Sequence, residues 1–295
     1  MTDEFGMLRE NAEEAGLPWS GPPPVRRTAH DTASGRTVSA LHWGSGPPRL
    51  VFLHGGGQNA HTWDTVLLAL GVPALALDLP GHGHSSWRPD RDYSPSANAA
   101  ELAPVIRREA PDAAAVVGMS LGGLTTIALV GTAPELVRRA VIIDVTPSTG
   151  LRVASMTTEQ RGTTALTRGP AEFDTLEEVI DRAVAAAPRR PPSSLRRGVI
   201  HNTRRTPEGR WAWRYDRPAG PVADFSPLWD HVSAASVPLT LVRGGDSTFV
   251  ADADAEEFAR RSRSAIVHVV AGAGHAVQSD QPRALAEIIR DAAGL

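Results

Sequence analysis

From residue 50 onward the chain alternates short, unbroken apolar runs with segments of helical periodicity, and this rhythm restricts the fold more than any other feature. The apolar runs are Leu50–Leu53, Pro73–Leu77, Ala113–Val117, Arg139–Ile143, Pro238–Arg243 and Ile266–Val270. The helical segments are Ala60–Leu70, Ser96–Glu109, Leu121–Gly131, Asp252–Arg261 and Arg283–Ala292. A strand with no polar face must be covered on both sides, which predicts an α/β fold with a mostly parallel, doubly wound sheet between helical layers. The rhythm breaks once, from Pro147 to His231, where polar helix candidates, a proline cluster at Pro188–Pro192 and the aromatic run Trp211-Ala212-Trp213-Arg214-Tyr215 intervene. The expected organisation is a core of residues 25–146 and 232–295 with an inserted, largely helical cap at 147–231. Residues 1–24 form a polar lead closed by Ser20-Gly21-Pro22-Pro23-Pro24, and Val25–His30 with Thr37–Trp43 are expected to pair as a hairpin.

Composition narrows the chemistry. The 295 residues contain no cysteine, which removes disulfides, thiolate metal sites and thiol nucleophiles together. The formal charge is -3, and the 30 basic residues, all arginine, are scattered rather than clustered. Neither a nucleic acid nor an anionic membrane is an expected partner; a small neutral or weakly charged molecule is. No apolar stretch approaches the roughly 20 residues needed to cross a bilayer. Acidic residues precede any apolar run at the start of the sequence, the wrong order for a secretory signal, so a cytoplasmic protein is expected. The sequence carries no signal for an oligomeric state.

The pentapeptide Gly118-Met119-Ser120-Leu121-Gly122 joins the run Ala113–Val117 to a helical segment. A serine at so tight a strand-to-helix turn needs small neighbours, and the following helix aims its free N–H groups and positive dipole end at charge forming on the serine oxygen. A hydroxyl is a poor nucleophile without a base. His275, in Ala271-Gly272-Ala273-Gly274-His275, follows the last apolar run and so shares a sheet edge with Ser120. The base needs a carboxylate on its other nitrogen. Asp246 follows Pro238–Arg243 through Gly244-Gly245, and Asp144 ends Arg139–Ile143; both are eligible, and Asp246 is placed ahead. Oxyanion donors are expected from the amides of Gly56, in His54-Gly55-Gly56-Gly57, and Leu121.

With these motifs in place, the chain resembles the α/β-hydrolase superfamily over residues 25–295. His54–Gly57 is similar to its oxyanion loop, Asp78-Leu79-Pro80-Gly81-His82-Gly83-His84-Ser85 to its turn after the next strand, and Gly118–Gly122 to its nucleophile elbow. The long insertion and Gly209–Tyr215 resemble the esterase, lactonase and cofactor-free haloperoxidase-like subgroup. The resemblance implies a cofactor-independent serine hydrolase acting on a carboxylic ester or lactone. Carbon–carbon hydrolysis, acyl transfer or perhydrolysis on the same triad, and a non-catalytic ligand-binding role, are the alternatives. The superfamily's usual acid column falls on Ser247 here, while some members carry the acid where Asp144 stands. Trp211 and Trp213 are expected either to wall the substrate or to pack the cap. His54, His61, His82 and His84 lack the spacing of a zinc site, so no metal is expected.

Overall fold

The computed structural model describes residues 3–217 and 224–295. Residues 1–2 of the expected lead and 218–223 of the expected cap lie outside that description. Eleven strands are present among the described residues: β1 Val25–Asp31, β2 Thr37–Trp43, β3 Leu50–Leu53, β4 Ala74–Leu77, β5 Ala115–Met119, β6 Ala140–Ile143, β7 Glu172–Phe173, β8 Thr203–Arg205, β9 Trp211–Trp213, β10 Leu239–Gly244 and β11 Ala265–Val270. Eight of them form one sheet in the order β1-β2-β4-β3-β5-β6-β10-β11. The β1–β2 hairpin and the β2–β4 pairing are antiparallel, and every other neighbour is parallel.

Each residue of β3, β4, β5 and β6 is buried, as their unbroken apolar composition requires. Two hydrophobic layers cover the sheet. One holds Leu102, Ile106, Ile127 and Phe258 from the helices Pro95–Glu109, Leu121–Thr132 and Asp252–Arg261; the other holds Trp63, Leu67, Leu285 and Ile289 from the segments around Asp64–Leu70 and Pro282–Ala293. The alternation Leu285, Ala286, Ile289, Ala293 puts one apolar stripe of that last helix on the sheet. Among the described residues no helix is long and apolar enough to cross a membrane.

Between β6 and β10 the chain forms a separate small cluster of Phe173, Val179, Ala183, Leu195, Val199, Trp213 and Tyr215. The helices Leu176–Ala186 and Pro192–Asn202 and a three-stranded sheet ordered β7-β9-β8 build it, so the insertion carries a sheet that its polar composition did not suggest. The expected cap boundary at 231 falls inside the helix Leu228–Ala234. That helix belongs to the core: Leu228, Trp229 and Val232 join the first hydrophobic layer, and a Cβ at Gly131 would lie 2.3 Å from the His231 ring. The chain therefore returns to the core before Leu228.

The lead is docked. Its helix Leu8–Glu14 buries Leu8 and Ala12, and Glu14 accepts hydrogen bonds from Arg197 and Ser193 of the cap helix. Ahead of that helix, Glu4 pairs with Arg27 at 2.6 Å and with His61 at 3.1 Å, while His61 Nδ1 lies 2.9 Å from Asp64. Burial opposes a charge on His61, but the Asp64 carboxylate and then Glu4 outweigh it and raise the imidazole to about 9. Burial also pushes the Asp64 carboxyl up, so the pair holds one proton, which the second acceptor, Glu4, keeps on His61. A raised histidine stabilises the fold fully below its unfolded value of 6.5 and loses that contribution as pH rises through about 9. Denaturant titrations are expected to show stability falling between pH 7 and 10 by on the order of 2 kcal/mol, a slope that His61→Gln removes.

Candidate active site

Ser120 sits between the end of β5 and the helix Leu121–Thr132 with φ 52° and ψ -118°, a left-handed-side conformation costly for a residue with a Cβ. The flanking glycines are required by contact. A Cβ on Gly118 would lie 2.2 Å from the Gly122 carbonyl oxygen, and one on Gly122 would lie 2.2 Å from the Leu53 carbonyl oxygen. Both obstacles are backbone atoms that cannot rotate aside. Gly122→Ala is therefore expected to lower the unfolding free energy by about 3 kcal/mol or more, read as a lowered urea midpoint.

The neighbouring strand ends carry the partners. Asp144 follows β6 and is fully buried, with φ 50°. Its Oδ1 accepts the Gly244 N–H at 2.9 Å, and its Oδ2 lies 2.8 Å from His275 Nδ1 and accepts the Ser247 hydroxyl. His275 follows β11, stacks face to face on Phe249 with centroids 3.4 Å apart and planes 9° apart, and keeps Nε2 buried with no hydrogen-bond partner among the described residues. Since Nδ1 faces a carboxylate, the neutral ring carries its proton there and leaves the Nε2 lone pair free.

Asp246, placed ahead as the acid in the sequence reading, is not beside the histidine. Its backbone N–H is tied to the Ala273 carbonyl, and its carboxylate is exposed and paired with Arg189 at 2.9 Å. The turn after Gly244 directs residue 247 toward Asp144 and residue 246 outward. Asp144 is the carboxylate beside His275.

The glycine loop His54–Gly57, expected to hold the oxyanion, is fixed from two sides. Burial pushes His54 down to about 3, so its ring is neutral. Its Nδ1–H donates to the Gly55 carbonyl at 2.8 Å, and Nε2 accepts the Leu79 N–H at 2.9 Å. From the cap, Asn202 Nδ2 donates to the Gly57 carbonyl at 2.6 Å, and a Cβ at Gly57 would meet the Thr167 methyl at 2.6 Å. Gly56 lies against Leu121, its notional Cβ 3.8 Å from that side chain, so the two residues expected to supply donors are neighbours.

A cleft of about 1390 Å³ separates cap and sheet edge; Gly56, Met119, Phe249 and His275 line it on one side, and Leu166, Thr167, Trp213 and Tyr215 on the other. Trp213 stacks on Tyr215 at 5.3 Å and faces the cleft, serving both as cap core and as wall. Trp211 does not line the cleft. It lies two residues earlier in β9, about 6.6 Å away, under the Arg205 guanidinium. Ser247, Phe249 and Asn202 were not singled out as site residues from the sequence. Only the superfamily's acid column pointed to 247, and nothing local marks the other two.

Among the described residues, two groups bring possible metal ligands within 4.8 Å of one another: His61, Asp64 and His201, and His30, His42 and Glu109. Neither is arranged as a ligand set. His61 uses both nitrogens on carboxylates and stacks parallel to His201 at 3.7 Å, which prevents both rings from aiming a lone pair at one ion. Arg108 Nη2 lies 2.8 Å from His30 Nδ1, where a cation would be repelled.

Strand order, elbow, oxyanion loop and histidine loop together define an α/β-hydrolase. The profile of the alpha/beta hydrolase family matches residues 50–288, and this chain belongs to that family. It is 56% identical over 290 residues to esterase Rv0045c of Mycobacterium tuberculosis, covering 98% of this chain and 95% of that protein. A solved structure of that esterase superposes with a TM-score of 0.88 over 99% of each chain, at 55% identity. Lipase LipV of the same organism is 27% identical over 85% of this chain and 95% of its own.

Proposed function

We propose that the chain is a cofactor-independent serine hydrolase that cleaves a carboxylic ester or lactone of a small molecule through an acyl-enzyme. The observation that carries this reading is the bond from His275 Nδ1 to buried Asp144 at 2.8 Å, which leaves Nε2 free. The 56% identical esterase supports it. Ser120 attacks the carbonyl carbon while Nε2 takes the hydroxyl proton, and Asp144 stabilises the imidazolium that results. The Gly56 and Leu121 amides donate to the oxyanion, aided by the N-terminal end of the helix Leu121–Thr132. The imidazolium then gives its proton to the leaving alcohol. Water enters, His275 removes its proton, and collapse of the second tetrahedral intermediate frees the acid and restores Ser120.

Enzyme and binder are separated by a fluorophosphonate. A nucleophilic Ser120 yields one phosphonyl adduct per chain, located by peptide mass spectrometry and suppressed by a short-chain activated ester. Folded protein that stays unlabelled, with no ester turnover, would overturn the assignment.

A further inference from the structure

We infer that Ser247 is a positioning residue for the catalytic acid–base pair, a role that rests on the triad proposed above. Its hydroxyl donates to Asp144 Oδ2, the same oxygen that faces His275 Nδ1 at 2.8 Å. With the Gly244 N–H on Oδ1, the carboxylate accepts three donors, and the orientation of its plane is set from both ends. The Ser247 oxygen also accepts the Phe249 N–H at 3.2 Å, and the Phe249 ring lies flat on the His275 ring. One side chain thus aligns the acid directly and the base through the backbone of its stacking partner. The Phe249 carbonyl is in turn held by the Thr149 hydroxyl at 3.3 Å, which ties this turn to the segment following β6.

Asp144 precedes position 247 by 103 residues, so no local signal links them. A buried carboxylate bonded only to His275 and Gly244 would have one donor on each oxygen and would keep some freedom about its Cβ–Cγ bond. A third donor removes that freedom and draws negative charge away from the oxygen facing Nδ1. Without the hydroxyl, Oδ2 holds the imidazolium more tightly, so the base loses its proton only at higher pH.

The other charged groups around the histidine loop are Asp246 with Arg189, and Asp280, which accepts the Gly274 N–H at 2.9 Å and lies 3.6 Å from Arg190. None contacts Ser247, so none changes in the test.

The test compares wild type, Ser247→Ala, Ser247→Thr and Asp144→Asn as full-length proteins on an activated short-chain ester, with active sites counted by fluorophosphonate. Ser247→Ala is expected to lower kcat by about 10- to 100-fold with KM within about twofold, and to move the acid limb of the kcat/KM profile up by about 0.5 pH unit. Ser247→Thr, which keeps the hydroxyl, restores most of the rate and the original limb. Wild-type kcat and an unmoved profile in Ser247→Ala would overturn the inference, as would a Thr variant as impaired as the Ala variant. An Asp144→Asn enzyme with full activity would instead sink the triad itself. An inactive Asp144→Asn beside an unimpaired Ser247→Ala removes only the role assigned to Ser247.

Discussion

Ser120→Ala is expected to lower kcat for an activated short-chain ester by about four to six orders of magnitude while leaving the fold intact. The loss is large because in the proposed mechanism the serine oxygen forms the covalent bond, and no neighbouring side chain replaces it: the elbow offers only Met119 and Leu121 beside it, and the chain has no cysteine. The fold survives because the elbow is held by backbone, through the Ser120 N–H to the Ile143 carbonyl at 3.0 Å and the Leu124 N–H to the Ser120 carbonyl at 3.0 Å. Alanine tolerates the positive φ about as poorly as serine, so the strain is unchanged and the unfolding midpoint stays within error. Stopped-assay kinetics together with circular dichroism check both halves.

Asp144→Asn carries the second-largest effect, a fall in kcat of about three to four orders of magnitude. An amide at 144 either donates to Nδ1, forcing the ring proton onto Nε2 where the serine proton must go, or leaves Nδ1 facing a neutral oxygen that cannot offset the imidazolium. Asp246→Asn is the contrast. Its partner Arg189 is largely exposed, so removing the pair changes stability by less than about 1 kcal/mol and kcat by less than about twofold. Equal losses in the two variants, or a larger loss at 246, would return the acid role to Asp246. Steady-state kinetics on both, normalised to titrated active sites, decides it.

The sheet was legible because its central strands β3 to β6 are short and free of polar side chains, a pattern that burial on both faces explains; each of the eight strands lies within two residues of its expected bounds. The places of Ser120 and His275 in the fold were legible for a related reason. Each lies beside glycines at the end of an apolar run, and parallel strands deliver all such ends to one edge. The insertion was less readable. Its strands have two or three residues each, too few for an alternation to register, and its boundary at the helix Leu228–Ala234 is set by packing on Gly131 rather than by composition.

By itself the sequence determined the α/β architecture and the places of the glycine-flanked serine, the glycine loop 54–57 and the histidine loop, because each depends on local backbone geometry or on periodicity within one segment. Only the tertiary structure places Asp144, and not Asp246, beside His275. Asp144 and Asp246 both end strands at the same edge, and the difference lies in how two residues of the turn after Gly244 orient their side chains. The backbone bond from the Asp246 N–H to the Ala273 carbonyl sends one carboxylate to solvent and Arg189, and the Ser247 hydroxyl to Asp144. The same holds for Phe249 on His275 and for Asn202 on the Gly57 carbonyl, contacts between segments far apart in the chain that exist only once the sheet and cap have closed on one another.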